Sequence, residues 1–345
     1  HGGEDGVPPI VAAYVSVKAQ GGRSGFDAAA DGELPESAKP FHAKAADRKA
    51  ATLALEKMGF GVVAESALGL SVMGSADALA ELTGGKIVTR DILLHAEAGR
   101  RRYVTHLDIV GDGQPASVGL GRAGSKKLPI EGVAIERPRI RHGIFPPALP
   151  PPVGTFHLRV PDDVALALGA IAAHRAGWLG AGVEVAMVDT GQYKHPFFAA
   201  HRYDVKPTVR MVPGTNGRKD PIGHGTGESA NIFAVAPHAT LRPYRASNEN
   251  GALVGALSGF LAAKAARPHV LSCSWGGDGD YPPAGPPDPA DQAFALEIID
   301  AIEEGIVVVF SAGNGQFAIE PQVPGVLAAG GVYMGRDHEL RASRY

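Results

Sequence analysis

The sequence predicts an α/β protein: a parallel sheet flanked by helices, incomplete at its carboxyl end and preceded by a smaller α+β unit. Three observations carry that prediction. From Pro161 onward, short apolar runs alternate with longer helical ones, the order that builds a parallel sheet covered on both faces. Before residue 93 the order is instead β-α-β-β-α-β, the split, ferredoxin-like arrangement. Between them lies a stretch of weak periodicity containing residues 145–152 (FPPALPPP), a composition that favours an extended linker. The expected divisions are 1–92, a linker over 93–160, and 161–345.

In the first unit, residues 10–19 alternate like a strand, and a helix is expected over 41–58. Its Ala46, Ala50, Leu53 and Ala54 recur at helical spacing, with Gly59 placed as a cap. Residues 61–76 read as two strands about a turn at Gly69. Ser75 then caps a short helix stopped by Gly84 and Gly85, and 86–92 form the last strand. In the linker, the run at 100–102 reads as a solvated turn. Gly119, Gly121 and Gly124 have dinucleotide-type spacing but lack the strand and helix that such a loop requires.

In the second unit a helix is expected over 161–174, and the opening strand is 183–188 (VEVAMV), apolar enough to be buried on both faces. Further strands are expected near 208–212, 240–245, 269–275, 306–311 and 325–332, with helices over 226–233, 252–266 and 289–304.

Composition excludes several classes. Lys+Arg number 33 against Asp+Glu 36, a net charge of −3, which gives no support for a nucleic-acid or anionic-membrane partner. No apolar run approaches a membrane span. The one cysteine, Cys273, cannot form an intrachain disulfide and is expected to face the sheet interior. The chain opens at His1 without a charged-then-apolar leader, and both ends are expected to be cut.

Three short motifs carry chemistry. Asp189-Thr190-Gly191 ends the opening strand, where open α/β sheets build their sites. Gly223-His224-Gly225-Thr226 opens a helix, and Ser311-Ala312-Gly313-Asn314-Gly315 ends a strongly β run. Singly, each has an ordinary reading as a turn or helix entry. Together they supply an acid, an imidazole base that an acid can hold in one tautomer, and an amide that can donate to an oxyanion. An aspartic-protease reading fails because no second Asp-Thr-Gly exists.

On these motifs, the region from about residue 161 to 345 resembles the catalytic domain of subtilisin-like serine peptidases (subtilases). The resemblance implies that Asp189 is the acid, His224 the general base and Asn314 the oxyanion donor. It also implies that Ser274, Trp275 and Gly276, within residues 270–277 (VLSCSWGG), pair with the substrate backbone, and that Ala312 and Gly313 wall the primary specificity pocket. Residues 1–92 resemble the family's propeptide in element order, which implies a zymogen partnered by its own propeptide. Peptide or protein substrates and secretion or export follow from the same resemblance. The chemistry requires no cofactor; calcium is frequent in the family, but no compact Asp/Asn cluster marks a site, and the histidines lack zinc spacing.

The departures are as informative. The helix after His224 reads Gly227-Glu228-Ser229-Ala230 where the family commonly has His-Val-Ala-Gly, so Glu228 is either a solvated helix residue or a group that tunes the imidazole. The family's nucleophile lies in a Gly-Thr-Ser motif well beyond the oxyanion asparagine. The only serine after Asn314 is Ser343, which is out of place for it. The nucleophile is therefore expected beyond Tyr345, and these residues alone should not turn over. The alternative is a subtilisin-like domain that binds peptides or proteins without catalysis. Cleavage between the units is expected either at residues 100–102 or in 146–152.

Overall fold

Two sheets organise the chain in the computed structural model, which describes residues 10–29, 32–97, 100–111, 120–122, 127–141, 158–279, 287–314, 317–335 and 337–342. The proline-rich stretch 145–152 and Ser343 lie outside these residues, as do Gly119, Ala123 and Gly124 of the glycine-rich run 119–124.

The amino-terminal part contains Val11–Val17 (β1), Ala45–Lys57 (α1), Gly61–Glu65 (β2), Gly69–Gly74 (β3) and Ala76–Thr83 (α2). Strand β1 pairs antiparallel with β3, and β3 with β2. Ser75 opens α2 by accepting the Ala78 N–H, and Gly84 closes it in the left-handed region at φ 69°. Helix α1 is rotated from expectation: it buries Ala51 and Leu55, while Leu53 is 49% exposed.

The strand expected to complete this sheet does not do so. Lys86–Glu97 (β4) pairs with Arg100–Val110 (β5) in a separate two-stranded ribbon, so residues 100–102 open a strand rather than a turn. The vacant sheet position beside β1 is taken by Ile130–Ile135 (β7), with Leu120–Arg122 (β6) outside it. The order is β2-β3-β1-β7-β6. Side-chain chemistry explains the exchange. Lys86, Thr89, Arg90 and Asp91 suit a solvated ribbon, whereas Ile130, Val133, Ala134 and Ile135 are all buried. The divisions at 92 and 93–160 are accordingly corrected, because the first sheet draws on residues as late as 135. After β7 comes a two-residue strand, Ile140–Arg141 (β8).

In the second part, the helix expected over 161–174 forms as Asp162–Ala167 (α3) and Ala170–Arg175 (α4), divided at Gly169, φ 75°. Then follow Glu184–Asp189 (β9), Pro196–Ala200 (α5), Asp204–Val205 (β10), Val209–Arg210 (β11), His224–Val235 (α6), Thr240–Arg245 (β12), Ala256–Ala265 (α7), Val270–Cys273 (β13) and Trp275–Gly276 (β14). Asp278–Gly279 (β15), Pro289–Glu303 (α8), Val307–Ser311 (β16), Phe317–Ala318 (β17) and Leu327–Ala329 (β18) come next. The main sheet runs β10-β12-β9-β13-β16-β18, all neighbours parallel, with β11 also on β12.

Strand β9 sits inside this sheet and is buried on both faces. Val185 and Met187 pack with Phe198, Phe233 and Leu241 on the α6 side. Ala186 and Val188, one residue out of phase, pack with Phe260, Leu271 and Phe310 on the side of α7 and α8. The latter cluster continues into the amino-terminal part through Tyr14, Phe26, Phe41 and Leu68. Helices α7 and α8 are therefore covered twice, by their own sheet and by the first one, and α8 buries an unbroken run from Asp291 to Ala301.

Candidate active site

Parallel strands in register bring their carboxyl ends to one edge. Cys273 at the end of β13 lies opposite Val188 on one side and Phe310 on the other. Asp189, Ser274 and Ser311 each follow one residue later, so the 189–191 and 311–315 motifs leave the same edge of the sheet as Ser274.

The histidine arrives by helix. His224 is the first residue of α6, entered through Gly223 in the left-handed region, φ 78°. Its Nδ1 lies 2.7 Å from Oδ1 of Asp189, which is fully buried. The same oxygen accepts the Thr190 N–H at 2.6 Å. A buried carboxylate against Nδ1 fixes the proton there and leaves Nε2 as the basic nitrogen. The approach demands glycine at 225, where a Cβ would stand 2.1 Å from the Gly191 carbonyl oxygen and 3.1 Å from Asp189 Oδ1.

Several supporting residues carried no sequence signal as motifs. Asp220 accepts at Oδ1 from Thr190 Oγ1 (2.8 Å) and the Gly223 N–H (3.0 Å), and at Oδ2 from the Thr226 N–H and Oγ1 (2.8 Å each). It holds the first turn of α6 and the Thr190 turn in one frame, with a negative charge at a helix amino terminus. An acid just upstream of a helix start was the one cue to it. Thr190 Oγ1 also accepts the Gly225 N–H at 3.1 Å. Arg245, fully buried on β12, lies opposite Asp189 and donates to the carbonyls of Asn216 (2.5 Å) and Asn248 (3.1 Å). Ser247 donates to the Thr190 carbonyl at 2.5 Å.

Glu228, one turn along α6 from His224, is not simply solvated. It hydrogen-bonds Ser274, and burial together with the nearby Asp189 raises its carboxyl above the usual range, opposed by His224 and Ser274. Trp275 turns its side chain into the core. Its side chain is fully buried, stacks near Phe294 (centroids 6.1 Å) and donates Nε1–H to the Val188 carbonyl at 2.7 Å. Asn314 is buried just past β16, after Gly313 at φ 103°, and Ala312 is exposed. Cys273 is buried in the core, and burial pushes its thiol well up.

Strand β14 is itself paired. Ile140 and Arg141 lie antiparallel to Gly276 and Trp275, and the Arg139 N–H donates to the Leu253 carbonyl at 3.1 Å. An open concavity of about 1060 Å³ lies elsewhere, between Gln192, Lys194, Tyr203, Arg210 and Asn216. Among the described residues no group of three or more His, Cys, Asp or Glu is placed to hold a metal ion, and no helix is long and apolar enough to cross a membrane.

Residues 180–335 match the model of the subtilase family, Peptidase_S8. That segment is a subtilase domain. The chain is 30% identical over 174 residues to the minor extracellular protease Vpr of Bacillus subtilis, covering 44% of this chain and 20% of Vpr. It is 30% identical over 155 residues to subtilisin BL of Lederbergia lenta, covering 41% of this chain and 52% of that protein. The chain thus spans about half or less of these relatives. A solved structure of the epidermin leader peptide processing serine protease of Staphylococcus aureus, an S393A mutant, is similar at 12% identity and a TM-score of 0.40, covering 88% of this chain and 61% of that one. The subtilase domain contains Asp189, His224, Ser274 and Asn314, while β1 to β8 precede it.

Proposed function

We propose that the subtilase domain belongs to a serine endopeptidase in which His224 is the general base, Asp189 its orienting acid and Asn314 an oxyanion donor. The observation that carries this reading is the 2.7 Å contact between His224 Nδ1 and the buried Asp189 Oδ1, at the carboxyl edge of a parallel sheet. A serine contributed from beyond Tyr345 would lose its proton to His224 Nε2 as it attacks the peptide carbonyl. Asp189 would support the imidazolium, and Asn314 would donate to the tetrahedral oxyanion, a contribution of about 3 to 4 kcal/mol in such sites. No cofactor enters these steps. Without that serine, residues 1–345 do not turn over.

The amino-terminal part acts in this reading as a propeptide. It covers α7 and α8, and its β8 lies along the strand that would pair with a substrate backbone, which supports occlusion of the cleft until cleavage. Peptides or proteins bound in extended form are the substrates.

The test is to extend the chain past Tyr345 and treat it with a fluorophosphonate. The extended protein should be labelled once its amino-terminal part is removed, and His224→Ala should abolish labelling. A folded, extended and uncovered protein that stays unlabelled would leave a peptide-binding domain instead.

A further inference from the structure

Residues 139–141 run as one extended segment between two edges of the cleft, Leu253 on one side and Trp275–Gly276 on the other. Backbone pairing of this kind holds any sequence; the pockets that receive alternate side chains read it. Arg139 fills such a pocket. Its side chain is 7% exposed. Nη2 donates to Asp291 Oδ1 at 2.8 Å, and Nε lies 3.3 Å from Glu320 Oε1. The guanidinium carbon stands 5.6 Å from the centre of the Phe294 ring. A Cβ on Gly277 would stand 2.9 Å from Nη1, so the guanidinium lies directly against the Gly277 backbone.

Every wall belongs to the subtilase domain: Asp291 and Phe294 on α8, Gly277 after β14, and Glu320 after β17. Asp291 and Glu320 are 3% and 1% exposed. Two carboxylates at such depth require a cation. Among the described residues, the cations that pair with them are Arg139 and Arg137, the latter 2.7 Å from Asp291 Oδ2 and 2.8 Å from Asp288 Oδ2. Both arginines lie on the segment that a substrate would displace. The carboxylates would then face an emptied pocket, apart from the Gly277 N–H that Glu320 Oε2 accepts at 2.9 Å.

We propose that this pocket is a specificity subsite for an arginine side chain in the substrate, two residues before the one that lies opposite Trp275. The proposal rests on the peptidase reading above and names the substrate class that reading leaves open. Arg139 is the chain's own stand-in for that residue. Arginine suits the pocket better than lysine, because a planar fork can address two carboxylates at once and lie against a ring.

The experiment uses the extended protein after release of its amino-terminal part, with peptides that differ only at this position: Arg, Lys, citrulline or Ala. We expect kcat/KM to fall in that order, with Arg over Ala by about 30-fold or more, as for truncation of one partner of a buried charge pair. Asp291→Asn combined with Glu320→Gln should bring that ratio below about 3-fold while the Ala peptide is still cleaved. Equal cleavage of all four peptides overturns the subsite and leaves the peptidase reading standing. If no peptide is cleaved, that reading fails, and binding decides the subsite separately: the His224→Ala protein should hold the Arg peptide about 30-fold tighter than the Ala peptide. Equal affinities there overturn it.

Discussion

Asp189 makes its contacts with one oxygen. Oδ1 takes both His224 Nδ1 and the Thr190 N–H, and the frame around that oxygen is built by Asp220, Thr190 and Gly225. Asp220→Ala should cost about 2 kcal/mol in denaturant unfolding, because hydrogen-bonded donors of a helix amino terminus lose a charged acceptor. In the extended enzyme it should also lower kcat more than it raises KM. Gly225→Ala should be worse, since its Cβ would meet the Gly191 backbone at 2.1 Å; we expect a loss of about 3 kcal/mol or complete failure to fold. Glu228 offers a subtler test. Ionised, it favours the imidazolium of His224, so Glu228→Gln should lower the base's apparent pKa in the pH dependence of kcat/KM by up to about one unit. An unmoved profile would mean that Glu228 serves only its bond to Ser274.

Among the elements, the helix that carries His224 and the strand that carries Asp189 were legible in the sequence. Their chemistry stands at element ends, where Gly191 and Gly223 mark the turns. The edge strand β8 was not legible, nor was the arginine pocket, because both are defined by partners more than a hundred residues away. Strand β7 was missed for a related reason. Glu131 and Gly132 interrupt a short run whose burial depends on β1, whereas β4, more regular in pattern, has too many charges to sit inside a sheet. Glu136, just beyond β7, accepts the Leu257 N–H at 2.6 Å and bonds Ser258 Oγ at 2.8 Å at the start of α7. Burial pushes its carboxyl up to about 7, against the pull of these bonds and Arg139. The folded protein therefore binds this proton more tightly than the unfolded chain does. The associated stability is fully present below about pH 4.5 and is lost as pH rises to about 7, a decline of roughly 2 to 3 kcal/mol. Glu136→Gln should flatten that decline in melts taken between pH 5 and 7.

Across the whole molecule, the two sheets are joined by a buried charge network as well as by apolar packing. Lys264 on α7 reaches Glu297 at 2.8 Å and Asp300 at 2.6 Å on α8. From the amino-terminal part, Tyr14 donates to Glu297 at 2.8 Å, Ser66 donates to it at 2.6 Å, and His42 lies 2.7 Å from Asp300. Lys264→Met would leave two buried carboxylates without their cation, and should cost about 3 to 5 kcal/mol. Because Glu297 and Asp300 serve both sides, the loss should appear in the cohesion of the two parts. Limited proteolysis should then cut the amino-terminal part sooner than it cuts the subtilase domain.

Strand β8 is covalently tied to the sheet it completes, and that changes the terms on which any free peptide competes with it. A strand held on a short tether acts as though present at an effective concentration in the millimolar range. A peptide supplied at micromolar levels must bind far more tightly than residues 139–141 do, or wait. Severing the tether would remove that advantage at once without altering a single contact in the cleft, so one backbone cut can act as a concentration switch.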